Sequence, residues 1–299
     1  MTTAFVLSGG GSLGAVQVGM LQTLADRGMA PDLLVGASAG ALNAAYVAGH
    51  GFTHAALEDL ANIWRGLRRQ DVFGFAPHRH LLALAGARPS LCGAEGLERL
   101  IAAHVNFRRL EDAQIPVHVV ATDLLSGREV LLSRGDPAPA VLASASIPAV
   151  LPAVEIDGQL LFDGGIADNT PISQAVALGA DRIVVLPAGV ACALTAPPKS
   201  ALATAVHAIT LLIEQRLILD VAAFHEQIEL VVLPPLCPLS VPSVDFRHAD
   251  ELISRARRAT HGWLDEGGDK RPHPERFLSL HAHGEHALAP VDCPGGQAA

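Results

Sequence analysis

The chain has 299 residues, of which half are hydrophobic, 17% are charged and only 4% are aromatic. This composition excludes a chain that is disordered throughout and supports a large buried core built from aliphatic side chains. The formal net charge of −9 comes without a basic cluster, so the composition also excludes a protein built to bind nucleic acid.

Short apolar runs alternate with stretches of helical periodicity along most of the chain. Strands are predicted at residues 4–7, 33–35, 116–121, 129–132, 154–156, 159–162, 182–186 and 228–233. Helices are predicted at residues 16–26, 41–48, 57–67, 172–178, 202–217 and 249–263. This alternation is typical of a sheet covered by helices on both faces, so we predict an α/β protein with three layers, α/β/α, and a mostly parallel central sheet.

The chain shows no linker or repeat between residues 4 and 264, so we expect a single domain. Residues 4–180 would form its core, and residues 181–264 would complete it with further strands and helices. Over residues 265–299 the chain turns to Gly, Pro, His and acidic residues with little periodicity, which predicts a disordered tail.

Cysteine usage and hydropathy predict a cytoplasmic protein. The four cysteines form no C-x-x-C pair and have no recurring spacing, which is typical of reduced thiols. The first residues lack a basic leader followed by an apolar stretch of signal-peptide length. The uncharged stretches at residues 33–57 and 137–154 are interrupted by glycines or prolines, so neither predicts a transmembrane helix. We therefore expect at most a transient, apolar contact with a membrane.

The pentapeptide Gly36-Ala37-Ser38-Ala39-Gly40 has the G-x-S-x-G pattern and lies between a predicted strand and a predicted helix. In this setting the two glycines permit a cramped turn that lifts the serine hydroxyl to the N-terminus of the helix. The pattern therefore predicts a nucleophile elbow with Ser38 as the nucleophile. The alternative is an ordinary Gly/Ser turn between a strand and a helix.

A glycine loop, Gly9–Gly14 with the sequence GGGSLG, follows the first strand and opens a helix. It matches the G-x-G-x-x-G pattern of dinucleotide sites, which also require an acidic residue at the end of the second strand. Because that strand runs into the serine motif instead, dinucleotide binding is disfavoured. The other use of such a loop is an oxyanion hole, since glycines let several backbone N–H groups point toward one anion.

A third motif, Asp163-Gly164-Gly165, follows a predicted hairpin whose turn is Asp157-Gly158. An aspartate at a strand end, followed by two glycines, leaves its carboxylate uncovered and its backbone free to bend. Beside the other two motifs, this one predicts that Asp163 takes part in the chemistry. The alternative is a turn aspartate that bonds to its own backbone.

Together the three motifs resemble those of the patatin-like phospholipase family, in the family's order along residues 4–180. Residues 143–148 (ASASIP) and 168–171 (DNTP) also look like segments of that family. The resemblance implies a serine acyl hydrolase of patatin-like fold that acts through a Ser–Asp dyad, with neither a cofactor nor a metal. It implies acyl esters of phospholipids, lysophospholipids or neutral glycerides as substrates, cleaved through an acyl-enzyme.

The resemblance also implies a role for each motif residue. Ser38 would be the nucleophile, and Asp163 the base that takes its proton. The oxyanion would be held by the N–H groups of Gly9, Gly10, Gly11, Gly14 and Ala39. The motifs would be supported by Gly36, Gly40, Gly164 and Gly165. Many relatives carry Lys or Arg where this chain has Leu13, so its loop would offer backbone donors alone.

Other functions for the same loops remain open. A broad carboxylesterase or an acyltransferase could use the same serine, and a non-catalytic protein could use the loops to bind a nucleotide or a lipid. A histidine could also complete a Ser-His-Asp triad. The histidines that follow Asp163 in the order of α/β-hydrolases are His207, His225, His248 and His261.

Two further stretches suggest weaker hypotheses. Residues 78–80 (HRH) and 281–286 (HAHGEH) hold neighbouring histidines without a metal-ligand pattern, so we expect no metal site. Residues 71–77, which include two phenylalanines beside Gly and Pro, form either a mobile lid over an acyl pocket or a packed loop.

Overall fold

The chain is described here by a computed structural model that covers residues 1–74, 87–189, 197, 201–237, 239, 241–270 and 278. In these residues eight strands form one sheet. The strands are β1 Thr3–Leu7, β2 Leu33–Ala37, β3 Val117–Asp123, β4 Glu129–Leu132, β5 Val154–Ile156, β6 Gln159–Asp163, β7 Arg182–Leu186 and β8 Glu229–Val232.

Helices connect and flank these strands. They are α1 Gly14–Asp26, α2 Ala39–His50, α3 His54–Gly66, α4 Arg69–Val72, α5 Glu95–His104, α6 Pro137–Ser144, α7 Gly165–Asp168, α8 Ile172–Ala177, α9 Ala201–Phe224 and α10 Ala249–Asp265. Short 3₁₀ turns lie at Gly11–Leu13, Leu110–Asp112, Phe246–His248 and Gly268–Lys270.

The sheet is parallel through its centre and antiparallel at one end. Strands β3, β2, β1, β7 and β8 lie side by side and run parallel. Strands β4, β5 and β6 run antiparallel to their neighbours. The predicted mostly parallel central sheet is thereby confirmed, and the carboxyl ends of β1 and β2 lie at one edge, where α/β proteins place their sites.

The core has two apolar layers, one on each face of the sheet. Alternate residues of β1 point to opposite faces, so Phe5 and Leu7 join one cluster and Ala4 and Val6 join the other. Side chains of α1, α2, α3 and α10 fill the first cluster, and side chains of α8 and α9 fill the second. Helices therefore cover both faces, as predicted.

The sequence pattern did not predict helices α5 and α6. Helix α6 begins at Pro137, whose fixed φ and missing N–H suit the first position of a helix. The preceding residue, Asp136, caps it by accepting the N–H of Ala138 at 2.9 Å. The prolines of residues 137–154 argue against one long helix, but Pro137 also starts a short one, because a proline breaks a helix interior and favours a helix start.

Several predictions fall on parts of the chain that the structure does not cover. Outside the described residues lie residues 75–77 of the lid hypothesis, the histidine-containing stretches 78–80 and 281–286, and most of residues 265–299. Helix α10 extends to Asp265, and the turn at Gly268–Lys270 follows it. Within the described ranges, no helix combines the length and the apolar character that crossing a membrane requires.

Candidate active site

The serine motif forms a sharp turn between strand β2, which ends at Ala37, and helix α2, which begins at Ala39. Ser38 has a φ of 52° and a ψ of −123°, a positive-φ conformation that a non-glycine residue adopts only when its surroundings enforce it. A Cβ atom on Gly36 would lie 2.6 Å from the carbonyl oxygen of Gly40, so the close approach requires glycine there. The turn therefore holds Ser38 in one orientation at the helix N-terminus.

Strand pairing brings Asp163 beside this turn. Strand β2 pairs with β3 until Ala37 lies opposite Val120, and β6 then pairs with β3, with Asp163 opposite Ala121. Strand β4 pairs with the overlapping stretch of β3, so β4 occupies one edge of β3 while β2 and β6 share the other edge, end to end. The last residue of β6 therefore meets the residue that follows β2.

The two side chains form a direct hydrogen bond. Oγ of Ser38 donates to Oδ2 of Asp163 at 2.7 Å, although the residues are 125 positions apart. The N–H of Gly165 donates to the other carboxylate oxygen, Oδ1, at 2.8 Å. Both Ser38 and Asp163 are 7% exposed. Each carboxylate oxygen thus has a donor, in a site from which most of the water is excluded.

Burial raises the pKa of Asp163 to about 6, because the ionised carboxylate loses its contact with water. The hydrogen bonds from Ser38 and from the N–H of Gly165 favour the ionised form and offset part of this rise. At neutral pH Asp163 is therefore mostly ionised. It is also a stronger base than an aspartate in water, whose pKa is about 3.9.

Ser144, the last residue of helix α6, holds the serine turn in place. Its hydroxyl accepts the N–H of Ser38 at 2.9 Å and donates to the carbonyl of Val120 in β3 at 2.6 Å. Ser144 is fully buried, so this hydroxyl satisfies two backbone groups that water cannot reach. It joins the backbone of the nucleophile turn to the neighbouring strand.

The same segment also holds the backbone of the aspartate. The carbonyl of Ser146 accepts the N–H of Asp163 at 3.0 Å, and the carbonyl of Ser144 accepts the N–H of Gly164 at 3.1 Å. Sequence reasoning identified this segment only through the family resemblance and assigned no role to its serines. Nothing local marks them, because their partners lie in other parts of the chain.

The glycine loop passes beside the nucleophile, since a Cβ atom on Gly9 would lie 3.0 Å from Cβ of Ser38. Two of its N–H groups are used within the fold. The N–H of Gly9 donates to the carbonyl of Asn169 at 3.0 Å, and the N–H of Gly14 donates back to carbonyls of the preceding 3₁₀ turn. The hydrogens of Gly9 and Gly14, which the resemblance implies as oxyanion donors, therefore already have acceptors within the fold.

Three other N–H groups belong to the glycine loop or to the serine turn. Within the described part of the chain, no acceptor is found for the N–H groups of Gly10, Gly11 and Ala39. That of Ala39 lies at the start of α2, where the first helical N–H groups have no partner inside the helix. The helix dipole adds a partial positive charge at the same point.

A buried polar cluster ties the end of the glycine loop to helix α2. Nδ2 of Asn43 donates to the carbonyl of Gly14 at 3.0 Å and to Oε1 of Gln17 at 2.8 Å. Nε1 of Trp64 donates to Oδ1 of Asn43 at 2.8 Å, and Nε2 of Gln17 donates to the carbonyl of Ser8 at 2.7 Å. Sequence reasoning missed this cluster, which fixes the loop relative to the helix that carries the nucleophile at its start.

A small apolar cavity of about 40 Å³ lies between helices α2, α3 and α5. Its lining includes Leu42, Leu60 and Ile101. Leu42 lies one helical turn beyond Ser38, and its N–H donates to the Ser38 carbonyl at 3.3 Å. The cavity therefore begins on the same helix as the nucleophile.

The described histidines that could complete a triad lie against other groups. His225 contacts the carbonyl of Ala222 in the preceding helix α9. His248 contacts Asp245 and Glu251, and His261 contacts Asp26. The side chain of His207 lies outside the described residues. Among the residues that the structure covers, no group of three or more His, Cys, Asp or Glu side chains is placed to hold a metal ion.

A second aspartate, Asp168, is buried at the end of helix α7. Its Oδ2 accepts the hydroxyl of Ser173 at 3.3 Å, whereas its Oδ1 has no hydrogen-bond partner among the described residues. Burial raises the pKa of Asp168 to about 7, and the nearby acidic groups of Glu129 and Asp220 add to the rise, which Arg216 opposes. Asp168 does not contact Ser38.

The family model of patatin-like phospholipases matches residues 5–176 of the chain. An uncharacterised NTE family protein of Mycobacterium tuberculosis is 31% identical over 185 residues, which cover 61% of this chain and 48% of that protein. Patatin-like phospholipase domain-containing protein 7 of Rattus norvegicus is 29% identical, over 62% of this chain and 13% of that protein. The chain thus spans about half the length of the mycobacterial relative and a small part of the rat protein.

Among solved structures, that of VipD from Legionella pneumophila is similar over 89% of this chain and 67% of VipD, with a TM-score of 0.43 and 16% identity. The family model covers more than half of the chain and includes the glycine loop, the serine turn and Asp163. At the family level this supports a lipid hydrolase. The resemblance seen in the motifs is confirmed: the chain belongs to the patatin-like phospholipase family.

Proposed function

We propose that the chain is a lipid acyl hydrolase in which Ser38 attacks the acyl carbonyl and Asp163 accepts the serine proton. The observation that carries this proposal is the 2.7 Å hydrogen bond from the strained serine to a buried carboxylate whose pKa is about 6. A nucleophile and its base must lie within hydrogen-bond reach, and these two side chains do so before any substrate binds.

In the first step, the proton of the Ser38 hydroxyl moves to Oδ2 of Asp163 while Oγ forms a bond to the acyl carbon. The carbonyl oxygen becomes an oxyanion. When the tetrahedral intermediate collapses, the ester C–O bond breaks and Asp163 returns the proton to the leaving alcohol. The product is an acyl-enzyme on Ser38.

In the second step, water replaces the alcohol. Asp163 takes a proton from the water as its oxygen attacks the acyl carbon, and the second tetrahedral intermediate then releases the fatty acid. The proton on Asp163 returns to Oγ of Ser38, which restores the site. One carboxylate thus serves as base and acid in turn, and its raised pKa suits both roles.

The oxyanion would be held by the N–H groups of Gly10, Gly11 and Ala39. Among the described residues these N–H groups have no acceptor, and each preorganised donor of this kind typically contributes about 10²–10³ in kcat. Because Leu13 replaces the cation that many relatives carry in this loop, the donors here are backbone groups alone. A carboxylate remains a weak base for a serine, so these donors must supply much of the stabilisation.

The match to the patatin-like phospholipase family model supports an acyl ester of a lipid as the substrate. Phospholipids, lysophospholipids and neutral glycerides share this chemistry. A carboxylesterase or acyltransferase using Ser38, and a non-catalytic binding protein, remain the competing functions, and no contact in the site favours them.

The test has two parts. A fluorophosphonate probe should label the parent protein at Ser38 and should not label Ser38→Ala. A panel of phospholipid, lysophospholipid, glyceride and short p-nitrophenyl esters, measured by fatty-acid release, should then favour the long-chain lipids. A folded parent protein that neither labels nor hydrolyses any ester would contradict an enzyme, and faster transfer to an added alcohol than to water would favour an acyltransferase.

A further inference from the structure

Eight large apolar side chains are exposed in the described part of the chain, and four of them lie in or next to the paired strands β3 and β6. The four, called the apolar rim below, are Leu124, Leu125, Leu160 and Ile166, with exposed fractions of 46%, 84%, 41% and 50%. Single exposed apolar residues are common on soluble proteins. A cluster is not, and clusters of this kind mark binding surfaces.

Hydrogen bonds place three members of the rim on one face of the sheet. The N–H of Leu124 donates to the carbonyl of Leu160 at 2.8 Å, which extends the β3–β6 pairing by one residue. Directly opposite residues of antiparallel strands point to the same face, so these two side chains are neighbours. Helix α7 is joined to that face, because the N–H of Ala167 donates to Oγ1 of Thr122 at 3.2 Å, and it contributes Ile166.

The rim projects beyond the edge of the sheet where the candidate active site lies. Strand β2 ends at Ala37 opposite Val120, directly before Ser38. Strand β3 continues, and Leu124 is four residues farther, which corresponds to about 13 Å of extended chain. Leu125 follows at the turn, and Ile166 lies three residues after Asp163. A flat surface that touched the rim would therefore face the end of the sheet that holds the serine.

The charges around the rim do not favour an anionic partner. Arg128 is the exposed cation of the turn, and it is accompanied by the exposed acids Glu129, Glu155 and Asp157. The whole chain has a formal net charge of −9. Attraction to an anionic surface needs clustered Lys and Arg, which this region does not have.

We propose that the apolar rim is a membrane-contact surface that enters the interfacial layer of a zwitterionic phospholipid bilayer. Four side chains are too few for a stable protein interface, which typically uses about 20–30 residues on each side. A bilayer needs no such complementary surface, since each leucine that leaves water contributes independently. This inference rests on the proposed function in one respect, because it places the ester-bearing lipid beside Ser38.

Vesicle flotation tests the surface without relying on hydrolysis. The Ser38→Ala protein should float with phosphatidylcholine vesicles, and adding Leu124→Ser and Leu125→Ser should lower its partition by about tenfold or more. Ile166→Ser should weaken it independently. The control is Leu219→Ser, which removes a 65% exposed leucine on helix α9 and should leave partition unchanged.

Three results would overturn the proposal: failure of the parent protein to float, equal flotation of the rim variants, or binding that depends on phosphatidylserine rather than on the leucines. A dimer in size-exclusion chromatography that the rim substitutions dissociate would assign the surface to a second copy instead. With Ser38 present, the rim variants should hydrolyse a water-soluble short-chain ester at the parent rate. A parent protein that floats but hydrolyses no ester would refute the proposed function and leave the membrane surface standing.

Discussion

Two buried aspartates near the ends of helix α7 differ in their hydrogen-bond partners and in their charged neighbours. Asp163 precedes the helix and has a donor on each carboxylate oxygen, one of them the hydroxyl of Ser38. Asp168 ends the helix, has one long hydrogen bond from Ser173, and faces the acidic groups of Glu129 and Asp220. Burial raises the pKa of both, to about 6 for Asp163 and about 7 for Asp168.

The comparison shows that a raised pKa alone does not identify a catalytic carboxylate. Structural and catalytic acids can be perturbed by the same loss of solvation. What separates the two aspartates is the hydroxyl that each accepts. Asp163 accepts the hydroxyl of Ser38, in the strained turn between β2 and α2, at 2.7 Å, whereas Asp168 accepts that of Ser173 at 3.3 Å. We therefore propose that Asp163, and not Asp168, is the base.

The largest expected effect is on hydrolysis itself. Asp163→Asn should lower kcat at least about 10³-fold, because the amide cannot accept the serine proton, and Ser38→Ala should do the same. Asp168→Asn should stay within a few-fold of the parent. Fatty-acid release by folded proteins measures all three. If Asp168→Asn were as inactive as Asp163→Asn, the two carboxyl groups would have to act together.

The pH profile should report Asp163 and not Asp168. Only the ionised form of Asp163 can accept a proton, so kcat/KM should rise as pH increases through about 6 and stay level above it. Below that pH each unit should cost about tenfold, since the ionised fraction falls by that factor. Asp168→Asn should keep the same inflection. An inflection that moved in this variant would show that the titration belongs to Asp168 and not to Asp163.

Ser144→Ala should test whether the hydrogen bond that holds the backbone of Ser38 contributes to kcat. The substitution leaves the buried N–H of Ser38 without its acceptor, so we expect kcat to fall about 10–100-fold with little change in KM. Ser146→Ala is a matched control. Its hydroxyl is equally buried, but among the described residues it bonds to the carbonyl of Leu142 in the preceding helix α6, and its backbone contact to Asp163 is kept. Equal losses in both variants would point to general damage to helix α6.

The smallest effect should be on the free energy of unfolding. Replacing Asp163 with Asn should raise it, although the same substitution should lower activity. A carboxyl group whose pKa is raised by folding destabilises the fold once it is ionised, and this cost is absent below about pH 4. It should develop between about pH 4 and 6 for Asp163, and up to about pH 7 for Asp168.

Replacing either aspartate with Asn should therefore raise the free energy of unfolding at pH 8 by about 1–3 kcal/mol. Urea unfolding at pH 8 and pH 4 measures the difference, which should vanish at the lower pH. A variant that is less stable than the parent at both values would mean that the hydrogen bonds of the carboxylate outweigh its loss of solvation.

Much of the fold could be predicted from the sequence because the signals are local. All eight strands were predicted within a few residues, since each is a short apolar run bounded by turn residues. The Asp157-Gly158 turn has positive φ at both positions, 51° and 79°, as the hairpin reading requires. Helix α6 was missed because Pro137 looks like an interruption unless Asp136 is recognised as the N-cap of a helix.

The candidate site was predictable in part. Ser38 and Asp163 stood out because each lies in a glycine-bounded turn, and glycine patterns are visible locally. Ser144 and Asn43 were not assigned roles, since their partners are 106 and 29 residues away and nothing adjacent marks them. The sequence also did not show that the N–H of Gly9 is occupied, because its acceptor is the carbonyl of the distant Asn169.

The strand-and-helix alternation, the sharp serine turn and the family could be predicted from residue types over a few neighbouring positions. Tertiary packing makes β6 continue the edge of β3 where β2 ends, which brings Asp163 to Ser38. It also decided how deeply that carboxylate is buried, and hence its pKa. The physical reason is that strand order, burial and solvation are properties of packed, distant segments and are not encoded at any one position.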